Sequence, residues 1–162
     1  MRWFQRGQAD PHQPEPEPVL SEDDVPALAR DLGELDRHIN ASAGRLPIAA
    51  TPQSRRITDT LRAALGTNEA RELDIHARLL IGGMVRDYLP TTLDSFLALD
   101  PATAHAPRPS GRTPEQSLID QLDTLETSAL EMLTAVRNDD ADSVMTQGSF
   151  LQTKFSRSDL DL

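Results

Sequence analysis

The sequence predicts an all-α fold, a helical bundle of five to six helices behind a disordered N-terminal tail. Three observations predict it. Apolar residues from position 21 onward recur at steps of three and four, the period of one helix face. Runs of alternating β-branched residues and two-residue hairpin turns are absent, so no strand is expected. Capping signatures stand where the periodic runs begin. Residues 1–20 form the tail and 21–158 a single helical domain, as expected for a chain of 162 residues.

The tail divides into a basic-aromatic tip, Met1-Arg2-Trp3-Phe4-Gln5-Arg6, and a spacer with Pro11, Pro14, Pro16 and Pro18 among Glu15 and Glu17. Such a spacer has too little apolar surface to offset its ordering entropy, and its prolines favour an extended polyproline conformation. In the first helix Ser21 caps, Asp24 supplies the acidic third position, and Val25, Leu28, Leu32, Leu35 and Ile39 form a stripe ending near Gly44. Thr51 and Pro52 open a second helix whose stripe, Ile57, Leu61 and Leu65, stops at Gly66. A third is expected from about Asn68 to Tyr88, burying Leu73, Ala77, Leu80, Ile81 and Met84. Gly82 and Gly83 in its middle each cost roughly 1 kcal/mol against alanine, which implies a close neighbour or a bend.

Pro90 lacks an amide hydrogen and disfavours α backbone at Leu89, so Asp87, Tyr88, Leu89 and Pro90 are expected to form a corner. The helix should end or turn sharply there, with the Tyr88 ring against the long helix that follows and Leu93, Phe96 and Leu97 on a new axis. A polar connection from Asp100 to Arg112 follows. Thr113-Pro114-Glu115-Gln116 is the best helix start in the chain, with Leu118, Leu122, Leu125, Ala129, Met132 and Val136 behind it. The final helix carries Val144, Gly148, Leu151 and Phe155 on one face, and Gly148 is expected to let it pack closely and antiparallel on the long helix.

Composition excludes more functions than it suggests. Sixteen basic against twenty-six acidic residues give a net charge of -10, which repels phosphate backbones, so no nucleic acid is expected as partner. Without cysteine there is no disulfide, thiolate catalysis or zinc ribbon. No apolar run is long enough for a membrane span and none follows Met1 as a signal peptide would require; the expected location is cytoplasmic. His12, His38, His76 and His105 are dispersed, with surface pairing to Asp36 and Asp74 expected for the middle two, so no metal site is assigned. Nucleophile turns, Walker loops and dinucleotide fingerprints are missing; no catalytic or cofactor-binding residue and no cofactor is assigned.

Charge is unevenly spread. Between Thr113 and Asp142 eight carboxylates face Arg137 alone, and Arg55, Arg56, Arg62, Arg71, Arg78 and Arg86 are expected to pair with that acidic helix. In the tip, Trp3 and Phe4 between Arg2 and Arg6 fit a partner contact or a weak, reversible contact with an anionic membrane. The same aromatics could instead fold back onto the body.

The stretch Asp87-Tyr88-Leu89-Pro90-Thr91-Thr92-Leu93, followed by Phe96-Leu97-Ala98-Leu99, resembles a group of uncharacterised helical proteins of actinobacteria. Gly111 to Gln116, Gln121 to Glu126 and Gly148-Ser149-Phe150-Leu151 add to the likeness. More remotely, the Tyr-Leu-Pro segment is similar to the XpaC family, labelled for 5-bromo-4-chloroindolyl phosphate hydrolysis and associated with toxic-anion-resistance proteins. The likeness spans about residues 72 to 156 and implies an envelope or stress-response setting. Nothing in Tyr88-Leu89-Pro90 could activate water or bind phosphate, so hydrolysis is not carried over. The expected function is therefore a noncatalytic interaction or scaffold protein, at the inner membrane face, with a protein partner or a second copy of itself. The alternative is a small helical hydrolase or ligand-binding protein, with a pocket converging on His76, Arg78, Asp87 and Tyr88.

Overall fold

Capped apolar stripes become helices here because each buries one face against its neighbours, and the computed structural model describes this for residues 22–158. Six α-helices follow in order: α1 (Val25–Ser42), α2 (Ala50–Gly66), α3 (Ile75–Gly83), α4 (Leu89–Leu97), α5 (Pro114–Arg137) and α6 (Ala141–Ser158). A five-residue π turn, Met84–Tyr88, joins α3 to α4. The fold is all-α, with no strand among the described residues. Around the core, α1 packs on α2, α2 on α5, α5 on α6, and α6 on α3, which returns to α1. The expected tail lies outside the described residues, as do Arg2, Trp3, Phe4 and Arg6.

The predicted stripes are the core. Leu28, Leu32, Leu35 and Ile39 of α1, Ile57, Leu61 and Leu65 of α2, and Leu118, Leu122, Leu125, Ala129, Met132 and Val136 of α5 are all buried. Helix α5 starts as its cap dictates: the Thr113 hydroxyl accepts from the Gln116 amide at 3.1 Å while the Gln116 side chain accepts from the Thr113 amide at 3.0 Å.

Three boundaries differ from expectation. α1 starts at Val25 with Asp24 as a cap residue that makes no side-chain cap bond; the Asp24 carboxylate lies 3.5 Å from Arg78 instead. α2 starts at Ala50, ahead of Thr51. α3 starts at Ile75, because Asp74 accepts from the His76 amide at 2.8 Å and Asn68 is occupied in the preceding loop, where its side chain accepts from the Leu73 amide at 2.9 Å.

At Pro90 the expected helix end or sharp turn is replaced by continuation. Tyr88 and Leu89 both hold right-handed helical backbone, and helical structure runs from Ile75 to Leu97. The chain accommodates Pro90 by widening just before it. The Leu89 amide donates to the Met84 carbonyl, five residues back. This shift of register opens the carbonyl ladder that the proline ring would otherwise strike.

Of the two alternatives for the diglycine, the close neighbour is found at Gly82. A Cβ on Gly82 would come 2.9 Å from the Asp23 carboxylate and 3.5 Å from Leu28 of α1; Gly83 leads directly into the π turn. Gly148 does not behave as expected, since a Cβ there meets nothing within 4 Å. α6 instead seats Val144, Leu151 and Phe155 in the core.

The basic residues pair mostly with α1 rather than with the acidic helix. Arg62 meets Asp36 at 2.5 Å; Arg86 meets Asp23 at 2.8 Å and Asp31 at 2.7 Å. Arg56 alone of the six reaches a carboxylate of α5, Glu126, at 2.7 Å, while Arg71 meets Asp139 in the turn beyond it. His38 bonds Asp94 at 2.8 Å rather than Asp36, whose oxygens are taken by Thr58 and Arg62.

Gln53, buried on α2, donates to both Asp123 and Glu126. The Arg56 bond, joined by that of Gln53, holds the Glu126 carboxyl below its ordinary range against the opposing effect of burial. A lowered folded-state pKa means that Glu126 stabilises above its ordinary value and that this contribution is lost as pH falls through and below it. Glu126→Gln should therefore flatten the drop in melting temperature between about pH 5 and pH 3. Gly82→Ala should be within about 0.5 kcal/mol of neutral, because displacing the Asp23 and Arg86 side-chain ends offsets the helix-propensity gain, whereas Gly33→Ala, where the added carbon meets nothing within 4 Å, should gain about 0.5 to 1 kcal/mol in urea denaturation.

Candidate functional site

Large apolar side chains are exposed on adjoining helices in two places, Leu79 and Met145 on α3 and α6, and Leu130 and Phe150 on α5 and α6; the first pair shares a groove with two residues expected at a pocket, His76 and Tyr88. Leu79 of α3 is 51% exposed and Met145 of α6 is 47% exposed; both line an open groove between the two helices. Its α3 wall carries His76, Leu79, Leu80 and Gly83, residues three or four apart that share one helix face. Val144, Met145, Gly148, Ser149 and Gln152 make the α6 wall by the same rule. Ile75, one turn before Leu79 and also half-exposed, extends the apolar strip.

Gly148 leaves the α6 wall without a side chain, and Gly83 gives room to the Tyr88 ring. The open space found at Gly148 is this groove, and its volume is about 410 Å³, within the range of small-ligand and peptide sites. The missing Cβ therefore creates a surface depression where the sequence suggested helix contact.

Tyr88 closes one end. Coming off the π turn, its ring stacks on Phe155 of α6 with centroids 5.3 Å apart and an interplanar angle of 29°. The expected partner was the long helix. The wider π turn shifts each side chain around the axis relative to a regular α turn, and α6 rather than α5 lies against α3 on this side. A Cβ on Gly83 would lie 3.3 Å from the same ring. Burial, with the neighbouring Asp87 charge, raises the Tyr88 phenol above its ordinary value near 10.

Of the four residues expected around a pocket, His76 and Tyr88 share the groove. Arg78 turns away to Asp24, and its Nε is buried without a hydrogen-bond partner. Asp87 accepts from Thr91 Oγ1 at 3.3 Å, within the same helical rod. The groove wall thus presents an imidazole, a phenol, an amide and a hydroxyl, with neither a carboxylate nor a guanidinium between them. No group of three or more His, Asp or Glu residues that could hold a metal ion occurs among the described residues.

A second, smaller cleft of about 300 Å³ lies between the α1–α2 loop and the end of α4, lined by Leu46, Phe96, Leu99 and Ala104. Arg45 spans its edge, donating to the Leu97 carbonyl at 2.7 Å. Of the residues expected around a pocket, His76 and Tyr88 line the α3–α6 groove and none lines this cleft, which holds Phe96, Leu97 and Leu99 of the resemblance stretch and His105. Leu79 and Met145 of the groove were missed, although both are apolar residues off their helix stripe, which is the signal that could have found them.

Because Tyr88 is half-buried and stacked, Tyr88→Ala should cost about 2 kcal/mol in chemical denaturation. Tyr88→Phe should be close to neutral at pH 7, since the ring contact survives. A raised phenol pKa favours the neutral folded form, so its contribution is present below pH 10 and lost as pH rises through the folded value. Tyr88→Phe should remove that alkaline component from the melting profile. No family model, no curated protein and no solved structure matches this chain.

Proposed function

We propose that the protein is a noncatalytic helical interaction or scaffold protein whose α3–α6 groove receives an apolar segment of a partner. The observation that carries this reading is the combination of half-exposed Leu79 and Met145 with the open space at Gly148. Apolar side chains grouped around a depression are a common form of docking surface, and the absence of a side chain at Gly148 lets an incoming backbone or ring approach closely. A helix or extended peptide with apolar residues one turn or two positions apart would satisfy the groove.

The cellular setting belongs to the same proposal. No helix among the described residues is long and apolar enough to cross a membrane. The basic-aromatic tip and the likeness at Asp87 to Leu93 support work at the inner face of the membrane, within an envelope or stress-response assembly. Kinship with the actinobacterial helical proteins and the XpaC family is part of this proposal and rests on those residues alone. The alternative, a small hydrolase or ligand-binding protein near Tyr88, draws on His76 and Tyr88 sharing one groove. It lacks a nucleophile held beside a base there.

Site-specific photo-crosslinkers in living cells test the reading. At Leu79 or Met145 they should yield a discrete crosslinked species, while the same group at exposed Glu34 of α1 should not. Leu79→Asp should abolish the Met145 crosslink with a change in melting temperature of no more than a few degrees, because the replaced side chain is half-exposed already. Equal crosslinking from all three positions would refute the groove as the docking surface. Turnover of aryl phosphates by the pure protein, lost in His76→Ala, would replace the scaffold reading with the hydrolase.

A further inference from the structure

We infer that the resting occupant of the α3–α6 groove is this chain's own Trp3-Phe4 segment, docked in cis and displaced when a partner binds. The inference rests on the groove being a docking surface and adds what regulates it. Three observations point to this occupant. The first is where the described chain begins. Arg86 of the π turn donates to the Glu22 carbonyl and, at 2.8 Å, to Asp23, and Asp23 lies against Gly82. The next residue, Gly83, lines the groove. The described chain therefore begins against α3, the helix whose other face forms one wall of the groove.

The second is reach. Glu22 lies eighteen positions after Phe4, and an extended chain covers up to about 3.3 Å per residue, or about 60 Å. From Gly83 to His76 the α3 wall is roughly 11 Å long at 1.5 Å per residue. The tether is more than long enough, and it holds the tip at an effective concentration in the approximate millimolar range. A contact too weak to hold a free peptide would hold this one.

The third is complementarity. Trp3 and Phe4 are large aromatics adjacent in sequence, and the groove offers Leu79, Met145 and the Tyr88 ring beside the open space at Gly148. Arg2 and Arg6 flank the aromatics. Exposed Asp74, Asp87 and Asp142 each stand within two residues of a groove residue. The nearby basic side chains Arg71 and Arg86 are already paired with carboxylates. A basic aromatic tip is thus drawn to a body of opposite overall charge, the whole chain carrying -10.

Trp3 is the single tryptophan, so its fluorescence in the full-length chain reports its surroundings without labelling. We expect emission to the blue of hydrated tryptophan, shielded from acrylamide and independent of protein concentration. Leu79→Asp and Met145→Asp should each shift it to the red and raise quenching, with circular dichroism unchanged. The dye 8-anilinonaphthalene-1-sulfonate supplies the second measurement: Trp3→Ala/Phe4→Ala should increase its binding several-fold, and adding Leu79→Asp should remove the increase. Hydrated Trp3 emission, with dye binding that depends on Leu79 but is unaltered by the tip substitutions, would overturn the inference and leave the groove as a docking surface. Dye binding indifferent to Leu79 would sink both. A blue shift that grows with protein concentration would assign the tip to a second copy's groove, and one seen only with vesicles containing anionic phosphatidylglycerol would assign it to the membrane. Either result overturns docking in cis.

Discussion

Pro90 has no amide hydrogen to donate, and the way the chain accommodates that loss sets the arrangement of everything around it. A regular α-helix would bring the carbonyl of Arg86 against the proline ring. The Met84–Tyr88 π turn widens the ladder at that point, so that Leu89 bonds five residues back and the helical rod continues to Leu97. From this one wide turn Met84 and Val85 enter the core, Arg86 reaches α1 and Tyr88 reaches α6. The π turn thus ties three helices together and places the residues on which the candidate site depends.

Glycine sets the spacing on either side of that turn. Gly82 allows the residues leading into α1 to approach so closely that a methyl group would meet Asp23, and Arg86 holds the carboxylate in place. Gly83 faces the other way and leaves room for the Tyr88 ring. One side of the pair is a tight contact and the other lines an open groove. Gly148 leaves the α6 wall of that groove without a side chain. The same residue type therefore closes one interface and opens another, according to what the neighbouring helix brings.

Polar groups show a similar division of labour. The α2–α5 interface is the broadest in the bundle, and it holds Gln53 between Asp123 and Glu126 with Arg56 outside them. A buried amide with both its hydrogens used costs little, whereas one left unpaired would be expensive. Most of the arginines from α2 through the π turn serve α1 in the same way, which leaves several carboxylates of α5 facing solvent. The acidic face that the sequence suggested is thus real on α5, but the arginines expected to neutralise it are largely spent elsewhere.

By itself the sequence determined the helical class, the order of the elements, the core stripes of α1, α2 and α5, and the Thr113 cap. These are local properties: a stripe repeats every three to four residues and a capping box spans four, so both are complete within a short window. Tertiary structure alone decided the path through Pro90, the Tyr88 partner, the role of Gly148 and the pairing of His38 with Asp94. Each of these depends on groups distant in the chain: Phe155 lies 67 residues beyond Tyr88, and Asp94 lies 56 beyond His38. Proline forbids a bond locally, yet whether a helix stops or widens depends on the packing energy to be lost by stopping. Here Leu89, Leu93 and Phe96 are all buried in the common core, and keeping them there outweighs the one hydrogen bond that Pro90 cannot make.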